Sequence, residues 1–295
     1  MSSNYWKLGI VGWPLGYSLS PLMHQAALKA FGLEGEYKEY PVKPEDLDRW
    51  LKEDAPKLDG FNVTMPHKKA AFEWLLELER VKKGEIHREL DRVIGAINTV
   101  EVFKDGYFRG YNTDGDGFYA ALCDPSRSID AERMRVLLLG SGGAAQAIAM
   151  VLADVGVGQM MIWNRHPQRA EQLVEKIRAS YRGCKAVSVS SLQEVPFGEV
   201  DILVNATSVG MLGVDELLVD ANRLPPSAIV YDIVYDPPET PLIRAARRRG
   251  MRAITGLEML VAQGAEAFGL WTRKNTKKVL PVMRKALDEY YATGA

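Results

Sequence analysis

The chain of 295 residues carries 37 basic and 38 acidic side chains, a net charge of −1, with 47% hydrophobic and 25% charged residues. Those proportions exclude a disordered or fibrous polypeptide, and they leave no overall charge to attract nucleic acid or an anionic membrane, so any basic site must be local. No apolar run reaches the about 18 residues of a membrane span, Cys123 and Cys184 form no C-x-x-C pattern, and the four histidines show no H-E-x-x-H, which predicts a cytoplasmic, reduced, metal-free protein.

Strand-like and helix-like stretches alternate, predicting an α/β fold with mainly parallel sheets. Leu8–Val11 reads as the first strand, ending at Gly12-Trp13-Pro14. A helix follows with Ser20 as N-cap, Pro21 at its first position and Gly32 as its stop. Next come a strand near Tyr37–Tyr40, a helix from Pro44, and a strand from Gly60 to Met65 broken by Pro66. The spacing of Ala71, Leu75 and Leu78 predicts a helix over Ala70–Leu78, and a hairpin is expected over Ile97–Phe103 and Tyr107–Tyr111. In the second half, Val136–Leu139, Met160–Trp163, Ile202–Asn205 and Ile229–Tyr231 read as strands, with helices at Ala144–Leu152, Arg169–Ala179 and Leu242–Arg248. The run Arg247-Arg248-Arg249 reads as a solvated helix C-terminus. A boundary is expected near Asp114, with helices from Glu258 onward packing back on the first half.

Gly140-Ser141-Gly142-Gly143-Ala144-Ala145 follows a buried-type strand and opens a helix, satisfying G-x-G-x-x-A at Gly140, Gly142 and Ala145. In that setting the glycines allow a tight turn and close approach of a pyrophosphate, which the helix N-terminus attracts. An NAD site usually places Asp or Glu about 20 residues on, against the ribose hydroxyls. Here the next strand ends in Asn164-Arg165-His166, with Arg169 one turn later. No carboxylate repels a 2′-phosphate and two guanidiniums can bind it, so NADP(H) is favoured. The competing reading is of surface arginines on an ordinary loop.

Three motifs of the first half are too polar for their apolar neighbours. They are Ser18-Leu19-Ser20-Pro21, Asn62-Val63-Thr64-Met65-Pro66-His67-Lys68, and Asn98-Thr99 with Asn112-Thr113-Asp114. Singly, Ser20 reads as a cap and Lys68 as a lysine at a helix start. Together, hydroxyls and amides at strand ends suit a polyhydroxylated ligand, with Lys68 supplying a positive charge and Asp114 an acceptor.

These blocks resemble, in order, the signatures of the shikimate dehydrogenase family. So do Gly95–Thr99, Asn112–Gly115, Gly140–Ala144, Asn164-Arg165, Asn205–Ser208, Tyr231–Tyr235 and Gly256–Gln263. The resemblance implies NADP(H)-dependent interconversion of 3-dehydroshikimate and shikimate, in chorismate and aromatic amino-acid biosynthesis. It implies two domains, a substrate domain over 1–113 with 256–295 and an NADP-binding Rossmann domain over 114–255. Lys68 and Asp114 look like the catalytic pair. Ser18 and Ser20 would hold the substrate carboxylate, and Thr64, Asn98, Tyr235 and Gln263 would contact the hydroxyls and carboxylate around the ring. Gly140, Ser141, Gly142, Gly143, Ala144, Asn164, Arg165, His166 and Arg169 would serve the cofactor's phosphates, Thr207 would lie along the cofactor, and Ile233 and Gly256 would flank the nicotinamide.

The chemistry fits: hydride reduction of a ketone leaves an alkoxide that must receive a proton, and Lys68 is placed to donate it while Asp114 orients the lysine and a substrate hydroxyl. Burial would lower the lysine's pKa and a nearby carboxylate would raise it, so its protonation state stays open. The sequence departs from the family pattern at Ser141, where Ala is commoner, at His166, where Thr is frequent, and in the longer, more charged stretch from Leu78 to Val93. Alternatives are a quinate/shikimate dehydrogenase using NAD, a non-catalytic nucleotide-binding sensor and, more distantly, a methyltransferase. Expected partners are small molecules alone, with no nucleic acid or membrane, and a monomer or homodimer.

Overall fold

The computed structural model of the chain describes residues 5–16, 18–211 and 216–293. In chain order the elements are β1 (Trp6–Gly12), α1 (Ser20–Ala30), β2 (Gly35–Pro41), α2 (Leu47–Glu53), β3 (Gly60–Val63), α3 (Lys68–Arg80), β4 (Gly84–Ile86), α4 (Glu89–Ile94), β5 (Thr99–Val102) and β6 (Phe108–Tyr111). Then follow α5 (Thr113–Leu122), β7 (Arg135–Leu139), α6 (Gly143–Asp154), β8 (Gln159–Trp163), α7 (Pro167–Ser180), β9 (Lys185–Val189), β10 (Ile202–Asn205), β11 (Ile229–Asp232), α8 (Pro241–Arg248) and β12 (Arg252–Ile254). Two 17-residue helices close the chain, α9 (Gly256–Thr272) and α10 (Thr276–Ala292). The chain divides into two compact units, Met1–Thr113 with Val261–Ala295, and Asp114–Leu260.

The first unit holds a six-stranded sheet in the order β2-β1-β3-β5-β6-β4. Strands β2, β1 and β3 are parallel, β5 runs antiparallel to both β3 and β6, and β4 pairs parallel with β6. The expectation of a mainly parallel sheet holds, since β1–β2, β1–β3 and β4–β6 are parallel pairs and the antiparallel ones involve the expected hairpin. The hairpin reverses the direction, because a tight turn at Gly106 can join only antiparallel strands. One face of the sheet is covered by a core that includes Trp50, Phe61, Val63, Ala71, Leu75, Ile97 and Val100. Leu75 and Ala71 sit one turn apart on α3, as their spacing predicts. α9 is tied to the sheet by Trp271, whose indole N–H donates to Val100 O at 2.9 Å, and α10 packs on α1.

The second unit is a fully parallel sheet in the order β12-β11-β10-β7-β8-β9. Counted from β7, and read from the other edge, this is the 3-2-1-4-5-6 arrangement of a Rossmann fold, with its topological switch between β7 and β10. The central strands are buried from end to end, Ile202–Asn205 and Ile229–Asp232 without a single exposed position. That is why they read as short apolar runs rather than alternating ones.

Four differences from the sequence reading have physical reasons. Ser20 is the first helical residue of α1, not its cap; the capping position is Leu19, and Ser18 Oγ accepts the Ser20 N–H at 3.3 Å. Helix α5 was hidden because Thr-Asp-Gly-Asp-Gly looks like turn chemistry. It forms because Asp114 and Asp116 suit a helix N-terminus and Phe118, Ala121 and Leu122 are buried. β4 and β12 are three residues each, too short for a period-2 pattern, and both lie at sheet edges, as does β9. Within the charged stretch before Gly95, α4 ends at Gly95 in the left-handed conformation, with φ of 68°.

Candidate active site

In the first unit the strand directions gather the polar motifs at one sheet edge. β1 and β3 are parallel, so Gly12 and Thr64 end at the same side, and Trp13 N–H donates to Met65 O while Thr64 N–H donates to Val11 O, both at 2.9 Å. β5 is antiparallel to β3, so its beginning, Asn98-Thr99, lies at that edge too, and Thr99 is opposite Tyr111 at the end of β6. Lys68 opens α3 immediately beyond, half-buried, with its carbonyl accepting Ile97 N–H at 2.9 Å. The preceding His67 is buried and its Nε2 lies 2.7 Å from Val42 O. Both contacts fix the backbone from which the lysine projects.

The side chains at this edge form a buried hydrogen-bond network. Tyr37 Oη–H donates to Asn62 Oδ1 at 2.8 Å, and Asn62 Nδ2 donates to Asn98 O at 3.1 Å and Thr99 Oγ1 at 3.0 Å. Asn98 Oδ1 accepts Thr113 N–H at 2.7 Å, while Asn98 Nδ2 donates to Thr113 Oγ1 at 3.0 Å. Asn112 Nδ2 donates to Ala96 O at 2.8 Å, and Arg88, paired with the wholly buried Asp91, donates to Asn112 O at 2.8 Å. Burial pushes the Tyr37 phenol well up, opposed by a hydrogen bond with Ser20. The network thus connects Tyr37 with Asn98. Ser20 and Asn98 are buried, Ser18 and Thr64 half-buried, and Gln263 is buried on α9 in the same unit. Sequence reasoning did not assign site roles to Tyr37, Asn62, Thr99 or Thr113. Asn62 and the threonines stood in the polar motifs, whereas Tyr37 looked like any strand aromatic.

In the second unit every predicted cofactor residue outside the helices follows the C-terminal end of a parallel strand. Gly140 follows β7, Asn164–His166 follow β8, Thr207 follows β10 and Ile233 follows β11. Gly140 has φ of +109°, and a Cβ there would come within 2.7 Å of Ala206 O, so glycine is required. Gly142 caps α6, and a Cβ on it would meet nothing within 4 Å, leaving the amides of this turn accessible. Gly256 sits against the β11 end, where a Cβ would fall 2.3 Å from Ile233 O. Arg165, His166 and Arg169 are all exposed, and no carboxylate stands at the end of β8. A helix N-terminus with open amides and two exposed guanidiniums beside it fits a dinucleotide bearing a 2′-phosphate.

Behind Thr207 lies a second buried network. Asn205 Oδ1 accepts from Thr207 N–H at 3.1 Å and from Thr207 Oγ1–H at 2.7 Å; Asn205 Nδ2 donates to Asp232 Oδ1 at 2.9 Å. Asp232 also accepts Val234 N–H at 3.1 Å and the hydroxyl of Thr240 at 2.7 Å. Burial raises its carboxyl to about 6, although each of these donors pulls it the other way. Tyr235 is half-buried just beyond, and Asp114 is buried in the first turn of α5. Among the described residues no three His, Cys, Asp or Glu side chains gather as metal ligands, and no helix is long and apolar enough to cross a membrane.

Residues 10–100 match the model of a shikimate dehydrogenase substrate binding domain, and residues 126–233 that of a shikimate/quinate 5-dehydrogenase. The shikimate dehydrogenase (NADP(+)) of Geobacter metallireducens is 42% identical over 90% of this chain and 90% of its own. That of Methanothermobacter thermautotrophicus is 39% identical over 95% and 94%. The crystal structure of shikimate 5-dehydrogenase from Thermus thermophilus, in complex with NADP(H) and shikimate, superposes with a TM-score of 0.80 at 35% identity, covering 95% of this chain and 99% of that one.

Proposed function

The chain belongs to the shikimate dehydrogenase family, and from that membership we infer how its residues share the work. It is an NADP-dependent oxidoreductase, interconverting 3-dehydroshikimate and shikimate. The first unit serves as the substrate domain and the second as the cofactor domain. NADP(H), when bound, supplies or accepts the hydride. Gly140, Gly142, Gly143 and Ala144 hold the pyrophosphate on open amides, Arg165 and Arg169 with Asn164 and His166 take the 2′-phosphate, Thr207 lies along the cofactor, and Ile233 and Gly256 flank the nicotinamide.

On the substrate side, Ser18 and Ser20 hold the carboxylate, and Thr64, Asn98, Tyr235 and Gln263 contact the ring's hydroxyls and carboxylate. Lys68 donates the proton that the new alkoxide requires and stabilises its developing charge, with Asp114 the acidic member of the pair. The rigid network around Asn62 supports this assignment, because it fixes Asn98 before any ligand arrives. Cytoplasmic operation belongs to the same reading, supported by two free cysteines, and a monomer or homodimer is proposed with it.

The observation that carries the cofactor choice is the end of β8, where Asn164-Arg165-His166 stand in place of an acid and the arginine is exposed. The test is an absorbance assay of shikimate and quinate oxidation with NADP+ and NAD+ side by side. Shikimate with NADP+ is expected to give the highest kcat/KM; quinate with NAD+ in front would refute the assignment. Arg165→Ala is expected to raise the KM for NADP+ about tenfold and to leave that for NAD+ within about twofold, the loss of one charge-assisted phosphate contact.

A further inference from the structure

Ser141 lies in the glycine turn after β7, and it is almost fully buried, 8% exposed. A pyrophosphate-binding turn needs no side chain at this position, since its amides do the work. The serine hydroxyl is instead engaged from inside the protein. Asn164 Nδ2 donates to Ser141 Oγ at 2.6 Å across the gap between the ends of β7 and β8. The orientation of that carboxamide is not arbitrary. His166 N–H, a donor only, lies 2.9 Å from Asn164 Oδ1, so the oxygen must face His166 and the nitrogen must face Ser141.

Ser141 is itself held from the helix side. Gln146 Nε2 donates to Ser141 O at 3.4 Å, and Lys176 Nζ donates to Gln146 Oε1 at 3.1 Å. The carboxamide of Asn164 therefore spans two loops, with its nitrogen on the glycine turn and its oxygen on the segment that carries Arg165. An alanine at 141 would leave the nitrogen without this acceptor, and the amide would be free to rotate away from His166.

We propose that Ser141 is a positioning residue for cofactor choice: through Asn164 it fixes the Asn164–His166 loop, so that the Arg165 guanidinium is presented to a 2′-phosphate. This rests on the NADP reading of the site. A cofactor without the 2′-phosphate places only ribose hydroxyls at that loop and gives Arg165 no phosphate to pair with, so it senses the serine far less.

The test compares Ser141→Ala, Asn164→Ala and the double variant of the full chain, measuring kcat and KM for NADP+ and for NAD+. Titration calorimetry with adenosine 2′,5′-bisphosphate and with adenosine 5′-monophosphate reads the loop without the nicotinamide. Ser141→Ala is expected to raise the KM for NADP+ and the Kd for the bisphosphate about fivefold, the worth of one neutral hydrogen bond. The effect on kcat, on the KM for NAD+ and on the monophosphate should stay below about twofold, and in the Asn164→Ala background the serine substitution should change nothing further. An equal rise for both cofactors would assign Ser141 to the pyrophosphate turn and overturn the proposal, as would a full additional effect in the double variant. If the unaltered chain binds the bisphosphate no better than the monophosphate, the NADP reading falls and takes the proposal with it. If it binds the bisphosphate tightly and Ser141→Ala leaves that unchanged, the proposal falls alone.

Discussion

The two units build their sites in opposite ways. In the second, the proposed working groups are backbone amides at a glycine turn and exposed guanidiniums, set by six parallel strands that end on one side. In the first, they are side chains held by one another, from Tyr37 through Asn62 and Thr99 to Asn98 and Thr113. A pyrophosphate looks the same in every dinucleotide and can be met by generic backbone geometry. A ring with several hydroxyls must be met by donors and acceptors in one fixed pattern, and only a satisfied buried network holds such a pattern rigid.

The sharpest test of this contrast is Lys68→Ala. If the first unit carries the proton transfer, kcat should fall about 10³-fold with the KM for NADP+ nearly unchanged, within the range usual for loss of a general acid. A variant that instead lost cofactor affinity would show that the division is wrong. Next in size is Gly140→Ala. A methyl group forced into a positive φ and against Ala206 O is expected to cost about 3 kcal/mol of stability and to weaken NADP+ binding, with shikimate binding untouched. Asn62→Ala should cost about 2 kcal/mol in urea unfolding, because it strips partners from Tyr37 and Thr99 within a buried network. It should also raise the KM for shikimate while sparing that for NADP+. Equal effects on both ligands would break the comparison.

The same contrast decides what could be read in the sequence. The cofactor unit was legible almost strand by strand, since Val136–Leu139 and Gly140-Ser141-Gly142 combine a buried apolar run with local turn chemistry. Its missing pieces, β9 and β12, are edge strands whose pairing is decided by neighbours rather than by their own pattern. In the substrate unit the motifs were visible, but their wiring was not. Asn62 and Thr99 are 37 residues apart, and Asn98 and Thr113 are 15 apart. Only the antiparallel pairing of β5 with β3 and β6 brings them together. Tyr37 gave no local sign of its role, and Ser141 stood out as a departure from the family pattern without revealing its partner, which lies 23 residues on.

The units should also answer acid in opposite directions. In the first, His24 is fully buried, stacked on Tyr37 with ring centroids 4.3 Å apart, and its two ring nitrogens have no hydrogen-bond partner among the described residues. Burial holds it down at about 3, so it folds neutral while the unfolded chain takes up a proton below its ordinary 6.5. Its contribution is complete above that value and is lost as pH falls toward 3; at pH 5 the loss is about 2 kcal/mol. In the second unit, burial raises Asp232 to about 6, so the folded form favours the protonated acid. That contribution is complete below about 4, the ordinary value, and is lost as pH rises through 6; between pH 7 and pH 5 the fold regains about 1 kcal/mol. Hydrogen exchange read by mass spectrometry at pH 7 and pH 5, corrected for intrinsic rates, separates the two units in one experiment. Protection around α1 and β2 should drop on acidification and that around β10 and β11 should rise. His24→Phe, which keeps an aromatic face for Tyr37, should abolish the drop, and Asp232→Asn should abolish the rise. Protection moving in the same direction in both units, or surviving these substitutions unchanged, would mean that neither buried group governs its unit.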